Sequence, residues 1–247
     1  MDTKSPTPTV QQARISPQMR AALSEPAKRG HAQFSELLAT ARRESGLDPA
    51  AQNPRSSATG LFQFTEQTWL DLVRRTGARH GLGEQAKKIV RDPATGRYEV
   101  PGGEDRSAIL ALRKDPKAAA AMAGELTAQN RKSLTAALGR EPTYQEVYAA
   151  HFLGARGAVR LIQAAEQSPE TPSNRLMPVA AKANRAVFRD AEARRYRTAG
   201  ELADHLQVAQ TAASASAKKP AASGAEYLDG IADARRAAPL YLAQMQG

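Results

Sequence analysis

The 247-residue chain has no cysteine. Disulfides and thiolate metal sites are therefore excluded, and reduction or oxidation of the compartment cannot act on it through thiols. Its four histidines are scattered along the sequence. With no Cys beside them, the expectation is no metal site and no cofactor. Aromatic residues make up only 5%, so a sandwich of aromatic-rich strands is disfavoured. No window approaches the ~18 apolar residues needed to span a bilayer. The first ten residues, MDTKSPTPTV, lack an apolar stretch after their charges, which a secretory signal requires. The expectation is a mature form or an export route without such a signal.

What is present fits helices. Hydrophobic residues reach 41%, many of them Ala, which supports a core built from closely packed helices. The net charge is +10, which favours polyanionic surroundings: nucleic acid, an anionic membrane surface or an anionic cell wall. Charge does not choose among them, and a basic surface also serves solubility alone. The Lys and Arg residues are dispersed and show no helix-turn-helix or RNA-binding signature, so no specific nucleic-acid partner is expected.

Pro, Ser and Gln dominate residues 1–28, which read as a flexible arm. A mostly α domain with at most a small β-hairpin is expected over 29–212. In it, apolar positions Phe34, Leu37, Leu38 and Ala41 mark one face of a helix from His31 to Ser45, stopped by Gly46 and Pro49. Further helices are expected at Glu66–Thr76, Ser107–Arg113 and Pro116–Leu138. Thr143 and Glu146 form a capping-box pattern opening a helix to Phe152. Gly154–Gly157 separates it from Ala158–Glu166, and helical segments follow near Pro178–Arg189 and Thr198–Ala212. The excursion Arg91–Glu104 is the place for a hairpin. Residues 213–247 read as a low-complexity linker and a short amphipathic helix.

Glu44 lies three residues after Ala41 and seven after Leu37, so it continues the buried stripe at the last turn. A carboxyl at that core edge favours its protonated form, the state a general acid for a glycosidic oxygen requires. On position alone, an ordinary ion pair with Arg42 or Arg43 is the better explanation, because structural ion pairs are common.

The stretch ARRESGLDPAAQNPRSSATGLFQF, residues 41–64, resembles the catalytic signature of the soluble lytic transglycosylases, within the lysozyme-like superfamily. In that family a helix ends in Glu-Ser-Gly, a Pro/Asn-containing loop follows, and a Gly-Leu-Met-Gln motif closes the site. Glu44-Ser45-Gly46 matches the first part and Gly60-Leu61-Phe62-Gln63 the last, with Phe62 in place of Met. The resemblance implies a lysozyme-like helical fold with Glu44 as acid/base. It makes Ser45 a positioning residue for the acid or the substrate, and Gly60, Phe62 and Gln63 the glycan-binding segment. In the residues themselves, Gly60 permits close backbone approach to a sugar, and the Gln63 amide can both donate and accept; taken singly, Gln63 is a polar loop residue.

A weaker match lies in Tyr148-Ala-Ala-His-Phe-Leu-Gly154, against the family's Ala-Tyr-Asn-Ala-Gly. His151 stands where Tyr is usual, as a substrate-binding candidate or a half-buried His on an apolar helix face. The family also places a late Tyr beside the acid; the corresponding AAKANRAVF offers Asn184, and Tyr196 follows. Glu125 and Asp48 are the carboxylates a hydrolytic alternative would recruit, although Glu125 reads first as a solvated helix residue. Trp69 and Phe64 read as core rather than as sugar-stacking surfaces.

The implied activity is cleavage of the MurNAc-GlcNAc β-1,4 bond of peptidoglycan with a 1,6-anhydro product. The alternatives are a muramidase of the same fold and a catalytically weak wall-binding or assembly protein. The implied partner is the peptidoglycan glycan strand, in the periplasm or cell envelope. Delivery by a phage, flagellar or secretion apparatus acting through the tails fits the absent signal.

Overall fold

The computed structural model describes residues 15–208 apart from Arg55. Eleven α-helices and two antiparallel two-stranded hairpins lie among these residues, so the mainly α expectation holds. The expected linker and helix over 213–247 lie outside the described residues.

The arm expected through residue 28 gives way to a helix, α1 (Pro17–Lys28). Ser16 caps it by accepting from the Met19 N–H at 3.1 Å, and Pro17 occupies the first turn, where its missing N–H costs nothing. Met19, Ala22, Leu23 and Pro26 face inward with the 3, 1, 3 spacing of a helical stripe. The Pro- and Ser-rich composition obscured that stripe.

Helix α2 (Phe34–Ser45) begins where the Gln33 N–H donates to Glu36 at 2.9 Å and ends at Gly46 in the left-handed region, φ 65°. The 51–64 loop follows, then α3 (Glu66–Thr76), capped by Thr65. A 3-10 turn over Gly77–His80 and α4 (Gly83–Lys88) lead to β1 (Val90–Arg91) and β2 (Tyr98–Glu99), the small hairpin expected in the excursion. Helix α5 spans Gly103–Ala111, starting four residues before the Ser107 the sequence indicates.

Helix α6 (Pro116–Leu138) has the expected bounds, with Asp115 accepting from the Ala118 N–H and Gly139 in the left-handed region at its end. Helix α7 (Tyr144–Gln167) opens on the Thr143–Glu146 capping box. The expected glycine break is a kink within it, at Gly154 (φ 73°, ψ 158°). The described residues close with α8 (Ser173–Leu176), α9 (Pro178–Ala183), α10 (Arg185–Phe188), the hairpin β3 (Arg189–Asp190) and β4 (Arg195–Tyr196), and α11 (Ala199–His205).

Two apolar clusters organise these elements. The first gathers α1 to α5 and the N-terminal half of α6 around Trp69, Phe62, Phe64 and Met122. Trp69 is fully buried, and its indole N–H donates to the Ile109 carbonyl at 2.8 Å, so its one polar atom is satisfied. Burying such a side chain stabilises the fold by roughly 2–3 kcal/mol. The second cluster packs Leu134 of α6 and the faces of α7 to α11 around Phe188, Leu161 and Leu202. Helix α6 belongs to both. Helix α7 brings its first turns to the C-terminal end of α2, and there Glu44 sits.

Candidate active site

The helical stripe predicts a buried carboxyl at position 44, and Glu44 is 7% exposed. Burial pushes its pKa from 4.5 up to about 7, against the opposing effects of a Tyr148 hydrogen bond and the Arg43 charge. The ion pair with Arg42 or Arg43 that position alone allowed is not what holds it. The Tyr148 hydroxyl donates to Glu44 Oε1 at 2.9 Å, which leaves Oε2 as the oxygen to carry a transferable proton.

Tyr148 comes from the second turn of α7. The same helix face carries His151 three residues on, with its ring 6.0 Å from Tyr148 and nearly parallel to it. His151 Nε2 lies 3.8 Å from Glu44 Oε1. Burial, reinforced by the Arg43 charge, lowers the imidazole pKa to about 4, so the ring is neutral where Glu44 titrates and the contact is not an ion pair. The Arg43 guanidinium lies 4.1 Å from the centre of the Tyr148 ring, a cation–π contact that fixes the ring carrying the hydroxyl. Tyr144, one turn earlier, hydrogen-bonds Thr40 of α2 at 3.2 Å. Two contacts, at Thr40 and Arg43, thus pin α7 to the turn of α2 that precedes the acid.

The 51–64 loop is built for rigidity. Ser45 Oγ donates to the carbonyls of Ala41 and Leu61, at 3.1 and 3.0 Å, tying the end of α2 to the Gly-Leu-Phe-Gln segment. In this it positions the helix end that carries Glu44. Gln63, in the left-handed region at φ 50° and 2% exposed, donates its amide to the Gly60 and Ala51 carbonyls. The amide nitrogen expected to contact the glycan is instead spent inside the loop. Phe62 is fully buried in the first cluster; the Phe-for-Met replacement is a core substitution and offers no surface to a sugar. Gly60 is required for close approach, but to protein backbone: a Cβ there would lie 2.0 Å from the Arg113 carbonyl oxygen, at φ 83°.

Arg113 is the residue that sequence reasoning missed. It is 7% exposed and donates to three carbonyls, Leu110 at 3.0 Å, Ser57 at 2.6 Å and Phe64 at 3.1 Å. A buried guanidinium that ties the middle of the loop, at Ser57, to its end, at Phe64, holds it like a clasp. Burial lowers its pKa without threatening its charge. Nothing in its local sequence distinguishes it from the other arginines.

Asn184 does not join this group. It is fully buried at the junction of α9 and α10, where its amide donates to the Ala180 carbonyl at 3.0 Å. Tyr196 lies in β4 with the Arg189 guanidinium against its ring. The tyrosine that touches Glu44 is therefore Tyr148, and its signal was the three-residue spacing to His151. Glu125 is not a solvated helix residue. It is 8% exposed on α6 and engages His80 at 2.8 Å. Asp48 caps its own turn by accepting from the Ala50 N–H at 2.8 Å.

The arrangement unites a proton-holding carboxyl, a hydroxyl that orients it and a rigid loop beside it. The family model described as Transglycosylase SLT domain matches residues 22–95, the segment that runs from α1 to the first hairpin strand and contains Glu44 and the whole loop. The match supports a peptidoglycan-directed function of the lytic-transglycosylase type. Residues 22–95 of the chain thus match the transglycosylase SLT domain, consistent with a lytic transglycosylase of the lysozyme-like superfamily.

Proposed function

We propose that the protein cleaves the β-1,4 bond between N-acetylmuramic acid and N-acetylglucosamine by intramolecular transglycosylation, with Glu44 as the single acid and base. The observation that carries this reading is a buried Glu44 with a pKa of about 7 whose Oε1 is occupied by a hydroxyl donor.

Glu44 Oε2–H donates its proton to the glycosidic oxygen as the bond from the muramic C1 breaks, and the N-acetylglucosamine leaves with a free 4-hydroxyl. The carboxylate then takes the proton of the muramic 6-hydroxyl, and O6 bonds to C1. One bond breaks, one forms, the proton returns to Glu44, and no water is consumed. Tyr148 stabilises the carboxylate between the two transfers by donating to Oε1, and neutral His151 offers no competing positive charge. A hydrolase would need a second carboxylate to activate water or to attack C1. The two acids the sequence offers for that, Asp48 and Glu125, are engaged elsewhere, which favours the anhydro route over the muramidase alternative.

The site of action on this reading is the cell envelope, and the basic surface suits an anionic wall. The test is digestion of purified peptidoglycan. Anhydromuropeptides are expected; reducing muropeptides would move the assignment to a muramidase.

A further inference from the structure

We propose that His31, His80 and Glu125 form a binding site for one divalent transition-metal ion of the zinc class. The three residues come from separate parts of the chain: the turn between α1 and α2, the end of the 3-10 turn after α3, and the middle of α6. His80 Nε2 lies 2.8 Å and His31 Nδ1 3.8 Å from Glu125 Oε1, and the three ligand atoms all fall within 4.8 Å of one another. A tetrahedral ion with bonds of about 2.0–2.1 Å sets its ligands about 3.3 Å apart. The two measured edges straddle that value by about half an ångström each, a difference small enough for side-chain adjustment.

His31 Nδ1 is buried with no hydrogen-bond partner among the described residues, although buried polar atoms ordinarily have one. At 3.8 Å the carboxylate is too far to supply it, whereas an ion between them would satisfy both. Backbone packing holds the imidazole there. Gly124, adjacent to Glu125, leaves no room for a side chain: a Cβ would meet Pro26 Cβ at 2.6 Å and His31 Cβ at 3.4 Å. The α1–α2 turn is therefore pressed against α6 at this point.

The donor set defines the ligand class. Two imidazole nitrogens and one carboxylate oxygen suit zinc, cobalt or nickel and exclude the all-oxygen preference of calcium and magnesium. Arg79 Nη1 lies 3.5 Å from Glu125 Oε2 and is largely exposed. It holds the second carboxylate oxygen and leaves Oε1 to the ion. His31 is the most exposed of the three, with a side-chain exposure of 26%, so water reaches the fourth position from its side.

The role is structural. Helix α2 starts at Phe34, just after His31, and Glu44 lies about 15 Å along the helix axis from that start. The ion clamps the base of the helix that carries the acid and takes no part in bond cleavage.

The test uses tag-free, chelator-treated full chain titrated with Zn²⁺ by calorimetry and with Co²⁺ by visible absorption. One equivalent bound, a tetrahedral Co²⁺ spectrum, and a rise in Tm with Zn²⁺ are expected. His31→Ala, the substitution least disruptive to packing, keeps the wild-type circular dichroism and loses at least tenfold in affinity and the Tm response. Glu44→Gln binds the ion as wild type does, which separates this site from the proposed reaction. No stoichiometric binding by the folded wild type, equal binding by His31→Ala, or equal competition by Mg²⁺ would overturn the proposal.

Discussion

The Tyr148 hydroxyl donates a hydrogen bond to Oε1 of Glu44 across 104 residues of sequence, at 2.9 Å in a buried setting. The bond does two opposed things. It orients the carboxyl and favours its ionised form, while burial favours the protonated form and dominates.

Removing that donor in Tyr148→Phe therefore raises the Glu44 pKa further. The alkaline limb of the kcat/KM profile shifts upward, and activity below it falls by roughly tenfold as the carboxylate between the two transfers loses its hydrogen bond. A profile with the limb unmoved would show that the phenol does not act through Glu44.

In the wild type, kcat/KM falls about tenfold per pH unit above pH ~7, as the acid form of Glu44 is lost. Peptidoglycan turnover followed between pH 5 and 9 measures this directly. A profile flat through pH 8 contradicts the assigned proton donor.

The same shift makes the acid a cost to stability. The native value near 7 exceeds the ordinary 4.5, so the stabilising contribution of the bound proton is complete below pH 4.5 and is lost as pH rises through 7. The difference amounts to about 3 kcal/mol at ~1.4 kcal/mol per unit. Glu44→Gln removes the titration. Denaturant unfolding is expected to find the variant gaining on wild type as the pH rises from 4.5 to 8, by up to about 3 kcal/mol. His151 works with the opposite sign: its native value near 4 lies below 6.5. Its contribution is therefore present above pH 6.5 and lost as pH falls through 4, in both proteins alike.

The loop clasp predicts a different pattern. Arg113→Met strands the carbonyls of Leu110, Ser57 and Phe64 and costs roughly 3–5 kcal/mol. Gly60→Ala meets the Arg113 carbonyl at 2.0 Å and is at least as damaging. Arg113→Met that remains folded at low temperature is expected to lose activity through kcat with its alkaline limb unchanged, because it positions the loop without touching the proton.

Much of the site's frame was legible in the sequence. The 3, 1, 3 stripe through Leu37 and Ala41 foretold a buried Glu44, and Thr143 with Glu146 marked the start of the helix that meets it. The loop residues were recognisable by type but not by orientation. Gln63 turns its amide inward and Phe62 joins the core because backbone at φ 50° and the packing around Trp69 decide those directions, and neither is encoded locally. The family resemblance points to Asn184 and Tyr196, late in the chain, for the tyrosine partner, whereas Tyr148 lies three residues before His151. Long-range pairings such as Arg113 with the loop, or His31 and His80 with Glu125, depend on the tertiary fold alone.

The most direct test is mass spectrometry of peptidoglycan digested by wild-type protein and by Glu44→Gln. Anhydromuropeptides from the wild type and none from the folded variant are the predicted result. Undiminished turnover by Glu44→Gln, or no turnover by well-folded wild type, would contradict the assignment of Glu44 as the acid and base.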